Sequence, residues 1–181
     1  STNATPMPQK RVASAKARSS KIVAHCKPLV LFSHLAEKIE FIVENCYPLH
    51  PITAAGLLAL SNEYAAATRT AFTFLPALEE EKRFDVVVQE DAMFDAELVR
   101  IVELVDYYAE RMRSAGMGDQ LDTYRANIAQ TDSDGADAAV VQGRNNVIAV
   151  VLLSSALGQG FQASDQFLAA ALHDAGFDDL E

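Results

Sequence analysis

The chain has 181 residues, of which half are hydrophobic and 22% are charged, and its net charge is −10. This balance is typical of a soluble globular protein with enough length for one core or two small ones. Apolar runs such as residues 147–153 are much shorter than the roughly 20 residues of a membrane span, so we expect a cytoplasmic protein without membrane contact.

Positive charge is concentrated at the beginning of the chain. Residues 1–22 contain five Lys or Arg residues and no Asp or Glu, so the remainder carries −15, which is −10 less the +5 of this segment. The basic, Ser/Ala-rich composition predicts a disordered arm or linker over residues 1–27. The acidic body should repel nucleic acid, which we do not expect it to bind, whereas the arm could contact phosphate.

Helical patterns follow the arm. Apolar residues recur at three- and four-residue spacing from residue 28 onwards, which predicts a helix. Pro48 and Pro51 then force a break, because proline lacks an N–H donor and disfavours helical geometry in the preceding residue. Pro51 also suits the first turn of the next helix. The first helical subdomain is therefore predicted over residues 28–76, with helices at about 28–45, 52–66 and 68–75.

An acidic connection is predicted over residues 77–93. It contains three consecutive glutamates at positions 79–81 and three consecutive valines at positions 86–88. Because β-branched residues favour extended structure, a small β-hairpin or wing is predicted around residues 84–92.

A second helical subdomain is predicted over residues 94–181. Asp95 can cap a helix that Gly116 and Gly118 end, and Ser164 can cap the last helix. The predicted helices lie at about 96–114, 119–130 and 136–157, and after Ser164. The helix at 136–157 is apolar almost all round in its second half and should lie at the centre of the body. The fold class is thus predicted to be mainly α, a multi-helix bundle.

No complete active site is visible. The chain has no GxSxG, GxGxxG or GxxxxGK[ST] motif, and its histidines lack the HxxxH spacing of zinc sites. The cysteines, Cys26 and Cys46, lack a CxxC spacing and are expected to be reduced. The loop 132–137 resembles a calcium loop, but Gly143 stands where a bidentate Glu belongs. We therefore expect no metal, no cofactor and no catalytic residue in this chain, which alone should not be an enzyme.

Two residues are candidates for binding. His50 lies between two prolines at a helix entrance, where its ring can hydrogen-bond backbone groups left free by the break, and we favour this structural role over ligand binding. Arg69 lies in an apolar neighbourhood. Its guanidinium can reach water, pair with an acid such as Glu63, or meet an anion at an interface. The residues alone leave these three alternatives open.

Two segments resemble a known family. Residues 47–53 read Tyr-Pro-Leu-His-Pro-Ile-Thr, and residues 69–75 read Arg-Thr-Ala-Phe-Thr-Phe-Leu. Both are similar to segments of the large bacterial P-loop ATPases of the AAA+/STAND kind found in phage-defence and restriction-associated clusters. The resemblance covers roughly residues 28–176, although only these two motifs are specific. The chain differs from the family at residues 66–68, where Ala-Ala-Thr replaces the usual Gln-Asn-Glu.

The resemblance implies a lid over residues 28–76 and a winged-helix-like part over residues 94–181. Arg69 would be the sensor arginine, which contacts the γ-phosphate of ATP–Mg held by an upstream ATPase domain of the same chain. We expect a regulatory module that senses nucleotide and relays its state to partners, with no cofactor of its own. The alternative is a protein–protein interaction domain without a nucleotide role, which docks a partner through apolar helix faces and acidic residues 79–97.

Overall fold

The computed structural model describes residues 9–46, 49–64, 74, 98–133 and 135–173, and for residues 9–16 it describes the backbone alone. Within these ranges the protein is helical and contains no β-strand, which confirms the predicted mainly α, multi-helix fold. Arg69, Asp95, the acidic connection and the predicted wing lie outside the described residues. The helices are α1 (Gln9–Cys26), α2 (Ile39–Asn45), α3 (Pro51–Glu63), α4 (Leu104–Met112), α5 (Gly118–Ser133), α6 (Ala138–Leu157) and α7 (Asp165–Leu172).

Instead of the expected disordered arm, residues 9–26 form helix α1. Its sequence is rich in alanine, the strongest helix former. Ile22 and Cys26, one helical turn apart, are both buried and dock the end of α1 against α2 and α7. The composition had indicated disorder because the segment is basic, but this buried pair ties the end of the helix to the core.

The single helix predicted at residues 28–45 is divided in the structure. A 3-10 turn at Val30–Phe32 is followed by further turns, and regular helix begins only with α2. Leu29 and Phe32 are buried on one side of the break, and Ile39 and Val43 are buried on the other. Packing of both pairs into one core therefore outweighs the continuous helical periodicity of the sequence.

Helix α3 begins at Pro51, as predicted, and ends at Glu63, three residues earlier than predicted. Its buried face includes Leu57 and Leu60, whereas Leu58 is 61% exposed. Gly56 allows a close approach: a Cβ there would lie 3.1 Å from Cδ1 of Ile101. The face of α3 that contains Gly56 therefore packs closely against the 3-10 turn Ile101–Glu103, which precedes α4.

The helix predicted at residues 96–114 is shorter in the structure. Leu49 and Val99 form an isolated parallel bridge, and Arg100 is extended. The backbone N–H of His50 donates to the carbonyl of Val99 at 3.0 Å, and this long-range bond holds residues 98–100 out of the helix. Helix α4 ends at Met112, two residues before the predicted end, and the backbone turns at Gly116, which has φ of +94° inside the π-turn Arg113–Met117. Gly118 was predicted to stop the helix as well, but it has helical angles and is the first residue of α5.

Helices α5, α6 and α7 complete the body. The Ser164 hydroxyl accepts a hydrogen bond from the backbone N–H of Phe167 at 3.2 Å, which confirms the predicted cap of α7. Asp137 caps α6 in the same way, through the N–H of Ala139 at 2.8 Å.

Only one side of helix α6 is buried in the core. Val150 and Leu153 are fully buried, but Val151 is 49% exposed. Among the described helices α6 alone is long and apolar enough to cross a membrane by length and composition, a property that core helices of soluble proteins share.

Candidate functional site

The entrance of α3 is built around His50, which is 1% exposed. Its Nδ1 accepts the backbone N–H of Ile52 at 3.2 Å, which confirms the predicted hydrogen bond between this ring and the freed backbone. Thr53 donates its hydroxyl to the carbonyl of Val99 at 2.8 Å, the same carbonyl that receives the N–H of His50. Residues 49–53 of the first motif are therefore hydrogen-bonded to the segment 98–100.

Arg100 brings a positive charge to this entrance. It is only 4% exposed, and its charge acts on both His50 and Cys26. Arg100 lies outside both sequence motifs and is not one of the predicted site residues. A signal was present, because Arg100 interrupts the apolar run Leu98-Val99 and Ile101-Val102 in the way that Arg69 interrupts its own apolar segment.

Two further histidines approach from the ends of α1 and α7. The rings of His25 and His173 are stacked, with centroids 4.2 Å apart and an interplanar angle of 26°. Both side chains are near enough for their charges to act on His50. We call the group His25, His50, Arg100 and His173 the basic cluster. It joins α1, α3, the extended segment 98–100 and the end of α7.

Burial keeps the cluster's central imidazole neutral. Desolvation, followed by the positive charges of Arg100, His173 and His25, holds the pKa of His50 well below its ordinary value of 6.5. Since Nδ1 accepts a hydrogen bond, the proton of the neutral ring lies on Nε2, which has no hydrogen-bond partner among the described residues. Desolvation likewise raises the pKa of the neighbouring Cys26 thiol to about 12, against a lowering by Arg100.

The protonation states of His50 and Cys26 determine whether these groups can take part in catalysis. A thiol with so high a pKa is a poor nucleophile, because the thiolate is the reactive form. A deeply buried imidazole with a depressed pKa is also a poor general acid or base at neutral pH. At neutral pH neither the Cys26 thiol nor the His50 ring is therefore well suited to act as a nucleophile, general acid or general base.

The other end of α3 is also fastened. The hydroxyls of Ser61 and Tyr108 are hydrogen-bonded at 2.8 Å, which links α3 to α4. The Tyr64 hydroxyl lies 3.3 Å from Sδ of Met117 in the π-turn and 3.5 Å from the carbonyl oxygen of Ala156 in α6. Tyr64 stands five residues before Arg69.

Phe74 is the one residue of the second motif that the structure describes. It is 1% exposed and packs edge-on against Tyr107 of α4, with ring centroids 5.1 Å apart. Phe74 stands five residues after Arg69. The candidate sensor itself lies outside the described residues, but anchoring contacts to the region of α4 and the π-turn are present on both sides of it in the sequence.

The described acidic side chains of the loop at residues 132–137 have hydrogen-bond partners that do not involve an ion. Asp132 accepts a hydrogen bond from the Asn145 side chain at 3.0 Å, and Asp137 caps α6. Across the described ranges, no group of three or more His, Cys, Asp or Glu side chains could hold a metal ion. The predicted absence of a metal stays a prediction for the whole chain.

A polar groove of about 270 Å³ lies between α4, α5 and α6. Its charged lining residues are Glu103 and Asp106, accompanied by Tyr124 and the amides of Gln142, Asn145 and Asn146. Because both charged side chains are acidic, the groove is unsuited to the phosphates of a nucleotide.

No known protein family, curated protein or solved structure matches this chain in the three comparisons.

Proposed function

We propose that the chain is a non-catalytic regulatory module of a larger P-loop ATPase, a helical lid followed by a winged-helix-like part, which senses nucleotide and relays its state to partners. The observation that carries this proposal is that both ends of α3 are held by hydrogen bonds and side-chain contacts with other segments. Residues 49–53 of the first motif bind segment 98–100, and Tyr64 contacts the π-turn and α6. Such a helix can transmit force as a rigid element.

Arg69 is the proposed sensor. The module itself would hold no cofactor, and ATP with Mg²⁺ would be bound by the upstream ATPase domain. A desolvated contact between the Arg69 guanidinium and the γ-phosphate is worth about 2 kcal/mol. A difference of that size changes the ratio of open to closed lid about thirtyfold. The anchors at Tyr64 and Phe74 would pass this change to α4, the π-turn and α6.

The test uses the module joined to its ATPase domain. The Arg69→Ala variant should lose ATP hydrolysis or nucleotide-dependent assembly, whereas Arg125→Ala, which removes an exposed arginine of α5, should lose neither. Hydrolysis is measured by phosphate release and assembly by light scattering with and without nucleotide. Unchanged hydrolysis and assembly in Arg69→Ala would refute the sensor role.

A protein–protein interaction domain without a nucleotide role is the second candidate. Six exposed large apolar side chains of the described residues favour it, and the most exposed are Val30 at 79%, Phe41 at 66% and Leu58 at 61%. Under this alternative, Phe41→Asp should abolish assembly with the rest of the larger protein while Arg69→Ala leaves both assembly and hydrolysis intact. The opposite pattern supports the lid.

A further inference from the structure

The charge of α1 is of one sign only. Its 18 residues include Lys10, Arg11, Lys16, Arg18 and Lys21, and they contain no Asp or Glu. The chain as a whole has a net charge of −10, so positive and negative charges are strongly segregated between this helix and the acidic body. We propose that α1 is an interaction surface for the phosphate backbone of nucleic acid.

The helix is formed before any partner binds. Ile22 and Cys26 are buried and hold its last turns against α2 and α7, while Lys21 remains exposed to solvent. A preformed helix loses less conformational entropy on binding than a disordered arm would. At 1.5 Å per residue, 18 residues extend about 27 Å, which matches about eight base-pair steps of a duplex.

The apolar pattern of α1 favours nucleic acid over a lipid surface. Helices that lie on membranes bury large apolar side chains between the lipid headgroups. In the part of α1 whose side chains are described, Ile22 is 1% exposed and Val23 is partly buried, and both pack into the protein core. The exposed side chains in that part of α1 are Ala17, Ser20, Lys21 and Ala24, so a cation lies there among small residues, which suits contact with phosphates.

The acidic body limits the contact to this helix. Its negative charge repels the same polyanion, so binding should be weak and strongly dependent on salt. Phosphodiester backbones of DNA and RNA present the same charge to α1, and the experiment compares the two. The inference is independent of any nucleotide role of Arg69, since it concerns a different part of the chain.

The test measures fluorescence anisotropy of labelled duplexes of about 20 base pairs, one of DNA and one of RNA, with the whole chain at about 50 to 200 mM salt. Binding should fall linearly in a plot of log K against log salt concentration. The double variant Lys10→Gln/Lys21→Gln should flatten that slope by about 1.8, which corresponds to two lost phosphate contacts. The control, Lys38→Gln/Arg125→Gln, makes the same change in net charge outside α1 and should leave the slope unchanged.

Circular dichroism verifies that both double variants keep the helical content of the parent. Salt-dependent binding of either duplex, lost only in the α1 variant, supports the proposal, and the difference between the DNA and RNA arms identifies the preferred backbone. The proposal is overturned by an absence of salt-dependent binding, by equal loss in both double variants, or by binding to phosphatidylserine vesicles without binding to either duplex.

Discussion

At the scale of single residues, His50 shows how a local pattern and a distant contact combine. The two prolines around it predicted a break in the helix and a free backbone N–H, and the ring accepts that kind of donor from Ile52. The partner of its own backbone N–H is the carbonyl of Val99, far along the chain. Nothing in the local pattern could name Val99, because the bridge depends on how the two segments meet in space.

We expect removal of the His50 ring to weaken the entrance of α3. His50→Ala loses the acceptor for the Ile52 N–H and leaves a cavity, and should lower the free energy of unfolding by about 2 to 3 kcal/mol. His50→Asn keeps an acceptor at the cap position, so its free energy of unfolding should be about 1 kcal/mol higher than that of His50→Ala. Urea unfolding followed by circular dichroism measures both variants. Equal stability of the two would show that the cap does not contribute.

The basic cluster should make folding sensitive to acid. Burial and the charges of Arg100, His173 and His25 lower the pKa of His50 in the folded protein, whereas in the unfolded chain the pKa returns to about 6.5. Below about pH 6.5 the unfolded chain therefore binds a proton that the folded protein does not, and stability falls as the pH falls.

In that window His50 should contribute a loss of up to about 1.4 kcal/mol per pH unit. The measurement is a series of urea unfolding curves between about pH 7.5 and pH 5. The His50→Asn protein should show a flatter dependence over the same range than the parent. Parallel curves for the two proteins would mean that His50 is not responsible for the acid sensitivity.

At the scale of elements, the boundaries depend on contacts between segments. Periodicity predicted helices at 28–45 and 96–114, but the first is divided and the second is replaced at residues 98–100 by extended chain. Hydrogen bonds to the Val99 carbonyl from residues 50 and 53 account for the second change. Caps were predictable where the responsible atoms are near in sequence, as at Ser164.

Two glycines at the junction of α4 and α5 provide a matched pair. Gly116 has φ of +94°, and a Cβ added there would meet open space, whereas Gly118 has helical angles of −57° and −47°. Gly116→Ala should destabilise the protein by about 1 kcal/mol or more, because an L side chain strains this backbone. Gly118→Ala should be neutral or stabilising by up to about 1 kcal/mol. Thermal unfolding distinguishes them, and equal effects would contradict the described π-turn.

At the scale of the whole molecule, one core joins the two predicted subdomains. Leu60 of α3, Leu104 of α4 and Leu153 of α6 all belong to the same buried cluster. The sequence had suggested that the segments before and after the acidic connection are separate subdomains. Their shared core and the hydrogen bonds between them favour a single cooperative unit.

The position of α6 in that core leads to a prediction for two neighbouring residues. Leu153 is fully buried and Val151 is 49% exposed. Leu153→Ala should lower the free energy of unfolding by about 3 kcal/mol, and Val151→Ala by less than about 1 kcal/mol. Urea unfolding of the chain in buffer without detergent is the measurement. Similar small losses in both variants would show that α6 does not form the core in water.

The sequence by itself determined the features that depend on neighbours along the chain: the helical class, the break before Pro51, the turn at Gly116 and the cap at Ser164. These could be predicted because backbone geometry and short-range hydrogen bonds are set within a few residues. Only the tertiary structure decided that α1 is anchored by Ile22 and Cys26, that residues 98–100 stay extended, and that Arg100 and three histidines meet. Those features arise from burial and from partners distant in sequence, which a linear pattern does not identify.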